Sequence, residues 1–119
     1  MKLEDLEIYQ LSMEVGEKVW RIVEEWDYLS KKTIGIQLIE AVDSIAANIS
    51  EGFGRFHYKE AKQFTYYARG SLFETKTWLT KANKRNLLKQ HEFEQIIGKI
   101  NALGVKLNNY IKSIGRINK

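Results

Sequence analysis

The 119-residue chain contains no cysteine and no proline. Without cysteine it has no disulfide, no thiol nucleophile and no thiolate metal site, which fits a reducing compartment. Without proline, helices can run uninterrupted, because the residue that lacks a backbone donor and clashes with the preceding turn is missing. Histidine occurs only at His57 and His91, near the expected starts of the third and fourth helices, where solvation or capping outweighs chemistry. No paired Glu-x-x-His motif suits a di-iron bundle, "HEFE" at 91–94 is too sparse for a metal site, and no phosphate loop, dinucleotide fingerprint or nucleophile motif occurs. We expect no catalytic residue, no metal and no cofactor, hence a protein that is not an enzyme. A long apolar run is also missing. The opening "MKLEDLEIYQ" is acidic, so neither a signal peptide nor a membrane span is expected, and a cytoplasmic location is.

What is present is 44% hydrophobic and 29% charged residues, arranged with helical period. Ile8, Leu11, Val15, Val19, Ile22 and Trp26 place a first helix at about Glu4 to Trp26. Ile34, Leu38, Val42, Ile45, Ile49 and Phe53 place a second at about Ser30 to Phe53, with Ser30 as its N-cap. A third, about Tyr58 to Asn83, turns Phe64, Ala68, Ser71, Leu72, Thr75, Leu79 and Ala82 inward, with Tyr67 and Trp78 at the edge. In the fourth, Phe93, Ile96, Ile100, Leu103, Leu107, Tyr110 and Ile114 alternate steps of three and four, the seam of a bundle. The breaks "DYLS", "GFGRFH" and "NKRNLLKQ" are short, which favours antiparallel neighbours. The expectation is an all-α, up-down-up-down antiparallel four-helix bundle, one domain over residues 1–119, with "GRINK" fraying at the end. Gly52 and Gly54 are expected to end the second helix in left-handed conformations.

Charge is unevenly divided. Residues 1–51 carry five Lys and Arg against eleven Asp and Glu, a net −6, whereas residues 52–119 carry fourteen against four, a net +10. An acidic first hairpin and a basic second one point to an acidic partner such as nucleic acid. On the third helix Lys59, Lys62, Tyr66, Arg69, Phe73 and Lys76 fall opposite the core stripe. Stacking of bases on the aromatics with phosphates at the cations, burial of the same residues in a subunit contact, and a solvated face are all open. Arg55, Lys81, Lys84, Arg85 and Lys89 complete the candidate nucleic-acid set. A second apolar stripe on the first helix, Tyr9, Met13, Gly16 and Trp20, is the candidate subunit interface. Asn48 and Glu51 are expected to hold the turn into the third helix, Asn48 by bonding to neighbouring backbone or helices and Glu51 by meeting Arg55 or Lys59.

These residues form a recognisable pattern. Asp5, Leu6 and Tyr9 in "DLEIYQ" come first, then Ser44, Ile45, Asn48, Ile49, Glu51, Gly52, Gly54 and Arg55 in "SIAANISEGFGR", then Lys59, Glu60, Phe64, Ala68, Gly70, Ser71, Leu72 and Glu74 in "KEAKQFTYYARGSLFE". With them the chain resembles the bacterial four-helix-bundle proteins whose reading frames lie in intervening sequences of 23S ribosomal RNA genes. It departs at Ala46, where many relatives have proline and a less straight second helix, at Ile39 and Glu40, where relatives are often basic, and at His57, where they carry a capping serine. The resemblance implies a cytoplasmic, non-enzymatic bundle that assembles as a homopentameric ring with a link to rRNA or other RNA. A related branch, the accessory variability protein of diversity-generating retroelements, implies a basic pentamer that works with a reverse transcriptase and nucleic acid.

Overall fold

Four amphipathic stripes of this length can leave water together only by facing one another around a shared axis. The computed structural model, which describes residues 1–115, shows that arrangement. After a 3₁₀ turn at Leu3–Asp5 come α1 (Glu7–Glu24), α2, α3 (Tyr58–Lys84) and α4 (Gln90–Ser113). Helix α2 is a single rod in three pieces: Tyr28–Ser30, a π-helical turn at Lys31–Gly35, and Ile36–Phe53. Sequential helices pack side by side, α4 closes back onto α1, and the α2–α3 pair makes the most extensive contact. The result is an antiparallel four-helix bundle measuring 51 × 23 × 21 Å.

The core follows the stripes read from the periodicity, although Leu11, Ile22, Phe53, Phe64 and Phe93 are only half-buried and Val23, Ala41 and Ala46, outside those stripes, are buried. Val15 and Val19 of α1, Leu38, Val42 and Ile45 of α2, Ala68, Leu72 and Leu79 of α3, and Ile100, Leu103 and Leu107 of α4 are all buried. Three buried hydroxyls interrupt it, and each is satisfied within its own helix: Ser12 donates to the Tyr9 carbonyl at 2.9 Å, Thr65 to Ala61 at 2.8 Å and Thr75 to Ser71 at 2.8 Å. Packing between helices is therefore apolar, and the hydroxyls carry no unpaired cost into the core.

Several boundaries differ from the sequence reading. The first helix breaks at Leu6, whose extended backbone (ψ 121°) separates the 3₁₀ turn from α1, and it ends at Glu24 with Trp26 buried just beyond. Ser30 is not the cap of α2. Asp27 is, and its carboxylate accepts both the Ser30 N–H at 3.0 Å and the Ser30 hydroxyl at 2.8 Å, because an aspartate three residues earlier meets the free N–H groups of the first turn. At the end of α4 the buried position is Ile111, whereas Ile114 lies past the last turn. Within the expected fraying segment, residues 116–119 lie outside the described residues.

The two glycines of "GFGRFH" are also not left-handed. Gly52 lies within the helix and Gly54 has φ −79°. Gly52 is needed for approach: a Cβ there would stand 3.0 Å from the Ala61 carbonyl oxygen and 3.2 Å from the Phe64 Cβ. Left-handed residues follow two other helices instead, α4 at Gly115 with φ 82° and α3 where Asn86 has φ 57°. Its N–H donates to Asn83 at 3.1 Å and the Leu87 N–H to Ala82 at 3.0 Å, the paired bonds of a Schellman motif. Gly98, by contrast, has open space where its Cβ would be.

Gly52→Ala is expected to lower stability by about 1–3 kcal/mol through overpacking against a backbone atom that cannot rotate away. Gly98→Ala should raise it by about 0.4–1 kcal/mol, since only the unfolded chain loses freedom there. Thermal unfolding of the two variants checks the pair, and equal shifts would remove the packing explanation.

Candidate functional site

Two outer faces of the bundle collect the residues singled out above, and the packing of the core decides both. Burial of Thr65, Ala68, Leu72, Thr75, Leu79 and Ala82 turns the opposite side of α3 to solvent. Tyr66 and Phe73 stand there 50% and 53% exposed. The guanidinium of Arg69 and the ammonium of Lys76 lie over the Phe73 ring, 5.8 and 5.7 Å from its centre. Lys59 is exposed and Lys62 half-buried on the same side, and none of these four cations is in a salt bridge among the described residues. Gly70 falls between the two rings with nothing within 4 Å of its Cβ position. Its place in the motif therefore has no packing reason inside the subunit, whereas Ser71 is half-buried and lends its carbonyl to Thr75.

The remaining cations divide. Lys81, Lys84, Arg85 and Lys89 are exposed around the end of α3 and the turn into α4. Arg55 does not join them as a free charge. It bonds Glu51 at 3.0 Å, approaches Glu60 at 3.7 Å and lies 4.6 Å from the centre of the Phe64 ring. Arg55 thus lies across the α2–α3 turn, and of the two partners expected for Glu51 it is Arg55 that Glu51 meets, with no salt bridge to Lys59 among the described residues. Of the two kinds of partner expected for Asn48, neighbouring backbone or another helix, the structure shows the first: its side-chain amide donates to the Ser44 carbonyl of its own helix at 2.9 Å. His57 sits at the N-cap of α3 without a side-chain capping bond, and His91 is exposed in the first turn of α4. Among the described residues no cluster of three or more metal-ligating side chains converges.

The second face is shared by α1 and α2. A groove of about 380 Å³ runs between them, floored by Gly16, Ala46 and Ala47 and flanked by Tyr9, Met13, Glu17 and Asp43. Met13 and Trp20 are 46% and 50% exposed, as a contact surface requires. Gly16 is different: it is buried, and a Cβ there would meet an Asp43 oxygen at 3.1 Å, so it serves the α1–α2 crossing. Trp20 donates its indole N–H to Glu24 at 2.7 Å. Asp43 is exposed at the groove edge, but partial desolvation of its carboxyl there, reinforced by the Glu17 carboxylate, holds it above the usual aspartate range. On the other flank of α1, Glu14 bonds Lys99 at 2.8 Å and Glu7 bonds Lys106 at 2.6 Å, tying the acidic helix to α4. The Lys99 hydrogen bond draws Glu14 below the usual range.

The fold is that of a small helical bundle, and among the described residues no helix is long and apolar enough to cross a membrane. The family model of the 23S rRNA-intervening sequence protein matches residues 4–109, and the chain belongs to that family. Among solved structures it is similar to the 1.70 Å crystal structure of a protein with unknown function from the S23 ribosomal protein family of Bacteroides thetaiotaomicron. The TM-score is 0.80 at 18% identity, over 89% of this chain and 99% of that one, a likeness of fold. No curated protein matches the chain.

The raised Asp43 value carries a pH consequence. The folded state keeps this proton to higher pH than the unfolded chain does, so ionising Asp43 costs stability as the pH rises through its raised value. Asp43→Asn is expected to raise the melting temperature at about pH 7 and to leave it unchanged at about pH 3, where aspartate is protonated in both states. Melting curves across that interval check it. A gain independent of pH would remove the electrostatic cause.

Proposed function

We propose that this protein is a non-enzymatic, cytoplasmic bundle that assembles into a cyclic homo-oligomer and binds single-stranded RNA or DNA on the outer face of α3. One observation carries the reading: Tyr66 and Phe73, half-exposed, flank bare helix backbone at Gly70 and stand among cations without acidic partners. Seven residues of helix separate the rings by roughly 10 Å, with no side chain at Gly70 to obstruct a flat base. The cations over Phe73 are displaced at little cost, because a cation–π contact at an exposed site is worth about 0.5–1 kcal/mol and stacking of a base about 1–3 kcal/mol. Once displaced, Lys59, Lys62, Arg69 and Lys76 meet phosphates.

Assembly follows from the division of charge. An acidic α1–α2 face on one copy complements the basic hairpin of the next, a head-to-tail contact that closes as a ring. The half-exposed Met13 and Trp20, with Tyr9 and the small-residue floor beside them, supply its apolar part. The family resemblance implies five copies, and repetition of a weak site around a ring multiplies avidity.

Affinity for a single strand should fall steeply with salt, with a logarithmic slope of about −0.7 for each phosphate contact. Lys62→Gln with Arg69→Gln is expected to flatten that slope by about 1.4. Tyr66→Ala or Phe73→Ala should cost about 1–3 kcal/mol on single strands and little on duplex, whose bases offer no free face. Fluorescence anisotropy over a salt series reads all three. If neither nucleic acid binds at low salt with the oligomer intact, the basic hairpin instead recognises an acidic protein surface, the adaptor role of a retroelement accessory protein beside its reverse transcriptase.

Light scattering at micromolar concentration should give a multiple of the 13.9 kDa subunit, and Trp20→Glu should return the subunit mass without unfolding it. A monomeric wild-type protein would defeat the ring.

A further inference from the structure

At the turn from α2 into α3, Phe56 is 90% exposed, further out than any other aromatic side chain of the described residues. Tyr28, at the opposite end of the bundle, comes next at 76%. The one ring that Phe56 meets among the described residues is that of His57, edge to face at 5.1 Å, and His57 stands at the N-cap of α3 with no side-chain capping bond. A single exposed ring asks for nothing by itself. A hollow of matching size, level and charge on the same molecule does.

The α1–α2 groove is that hollow. Its floor of Gly16, Ala46 and Ala47 lies low between the larger Tyr9 and Met13, and its volume of about 380 Å³ is room for a phenyl ring. Glu17 and Asp43 line it, no basic side chain does, and neither carboxylate is in a salt bridge among the described residues. An apolar hollow edged by acids without a cation suits an occupant that is apolar at its point and donates hydrogen bonds beside it, on a basic body. The basic half of the chain presents such a point: residues 52–119 carry a net +10, and Phe56 with His57 lies at the tip of that hairpin. The levels agree as well. Ser50, which lines the groove, lies one turn before α2 ends at Phe53, and Phe56 follows three residues beyond that end. Its exposure shows that Phe56 does not fill the groove of its own subunit. In a ring whose axis runs along the bundles, each residue is carried round at its own level, so the turn of one copy passes the groove of the next.

Resting on the ring put forward above, we propose that Phe56 of one copy seats in the α1–α2 groove of the next, its ring on the small floor between Tyr9 and Met13 and His57 beside the Glu17 and Asp43 carboxylates. Each contact has a physical source. A methionine sulfur and a tyrosine ring both favour an aromatic neighbour, and the His57 imidazole brings a donor that its own helix leaves unused. Tyr66 and Phe73 take no part in this contact, so the strand site on α3 stays open.

Sedimentation over a dilution series reads the contact. Phe56→Ser, an exposed change that does not threaten the fold, should raise the concentration at which the oligomer dissociates by at least about thirtyfold, the effect of losing an interface hot spot. Helical circular dichroism should stay the same. Tyr28→Ser removes a comparably exposed ring at the other end of the bundle and should leave the dissociation concentration where it was. Ala47→Trp fills the groove from an exposed position and should act as Phe56→Ser does. With p-benzoylphenylalanine at position 56, irradiation should join two copies, and the new bond should map to Met13 or Tyr9. An oligomer that Phe56→Ser leaves at its wild-type dissociation concentration, an equal loss in Tyr28→Ser, no effect of Ala47→Trp, or cross-links outside the α1–α2 groove would each overturn this contact and leave the ring standing. A monomeric wild-type protein would overturn both.

Discussion

Where α2 meets α3, a helical glycine lies against a backbone carbonyl, and the course of the longest helix depends on that approach. Gly52 has no room for a methyl group beside the Ala61 oxygen, the same oxygen that accepts the Thr65 hydroxyl, while Arg55 folds back between Glu51 and Glu60 over the Phe64 ring. The turn thus brings two helices to near backbone contact and then fastens the exit with a charge cluster. A larger residue at Gly52 would push α3 outward at its start, and a 27-residue rod magnifies any error in its starting direction along about 40 Å.

From that crossing the surface follows. Once the small and apolar side of α3 is set on α2 and α4, its cations and two aromatic rings have only solvent or a partner to face. The same logic on α1 leaves Met13 and Trp20 outward, because Val15, Val19 and Val23 take the inward side. The core and the two outer faces are therefore opposite sides of the same helices.

The polar interactions that join elements are few and lie at the edges. Buried hydroxyls bond their own helices, and the cross-bundle ion pairs from α1 to α4 are exposed, where each is worth on the order of 1 kcal/mol or less. Apolar burial supplies the cohesion. Against this background an unpaired indole N–H at Trp26 stands out, since every other buried polar side chain of the described residues finds a partner.

The four helices, their order and nearly all of the core were legible in the sequence, because a side chain that returns to the same face every three or four residues records its burial directly. The exposure of Tyr66 and Phe73 was legible for the same reason, as they fall opposite the stripe. The caps at Asp27 and Asn86 were not, since which of several adjacent polar residues takes a cap depends on backbone angles that composition does not carry. Gly52, Gly70 and Arg55 show the deeper limit. One glycine is pressed against a neighbouring helix, another stands open between two rings, and an arginine that counted as part of a basic patch is held by two glutamates. Periodicity determined which side of each helix turns inward; the distance between helices, and with it which small residue is required and which charge is free, was decided only when the four were packed together.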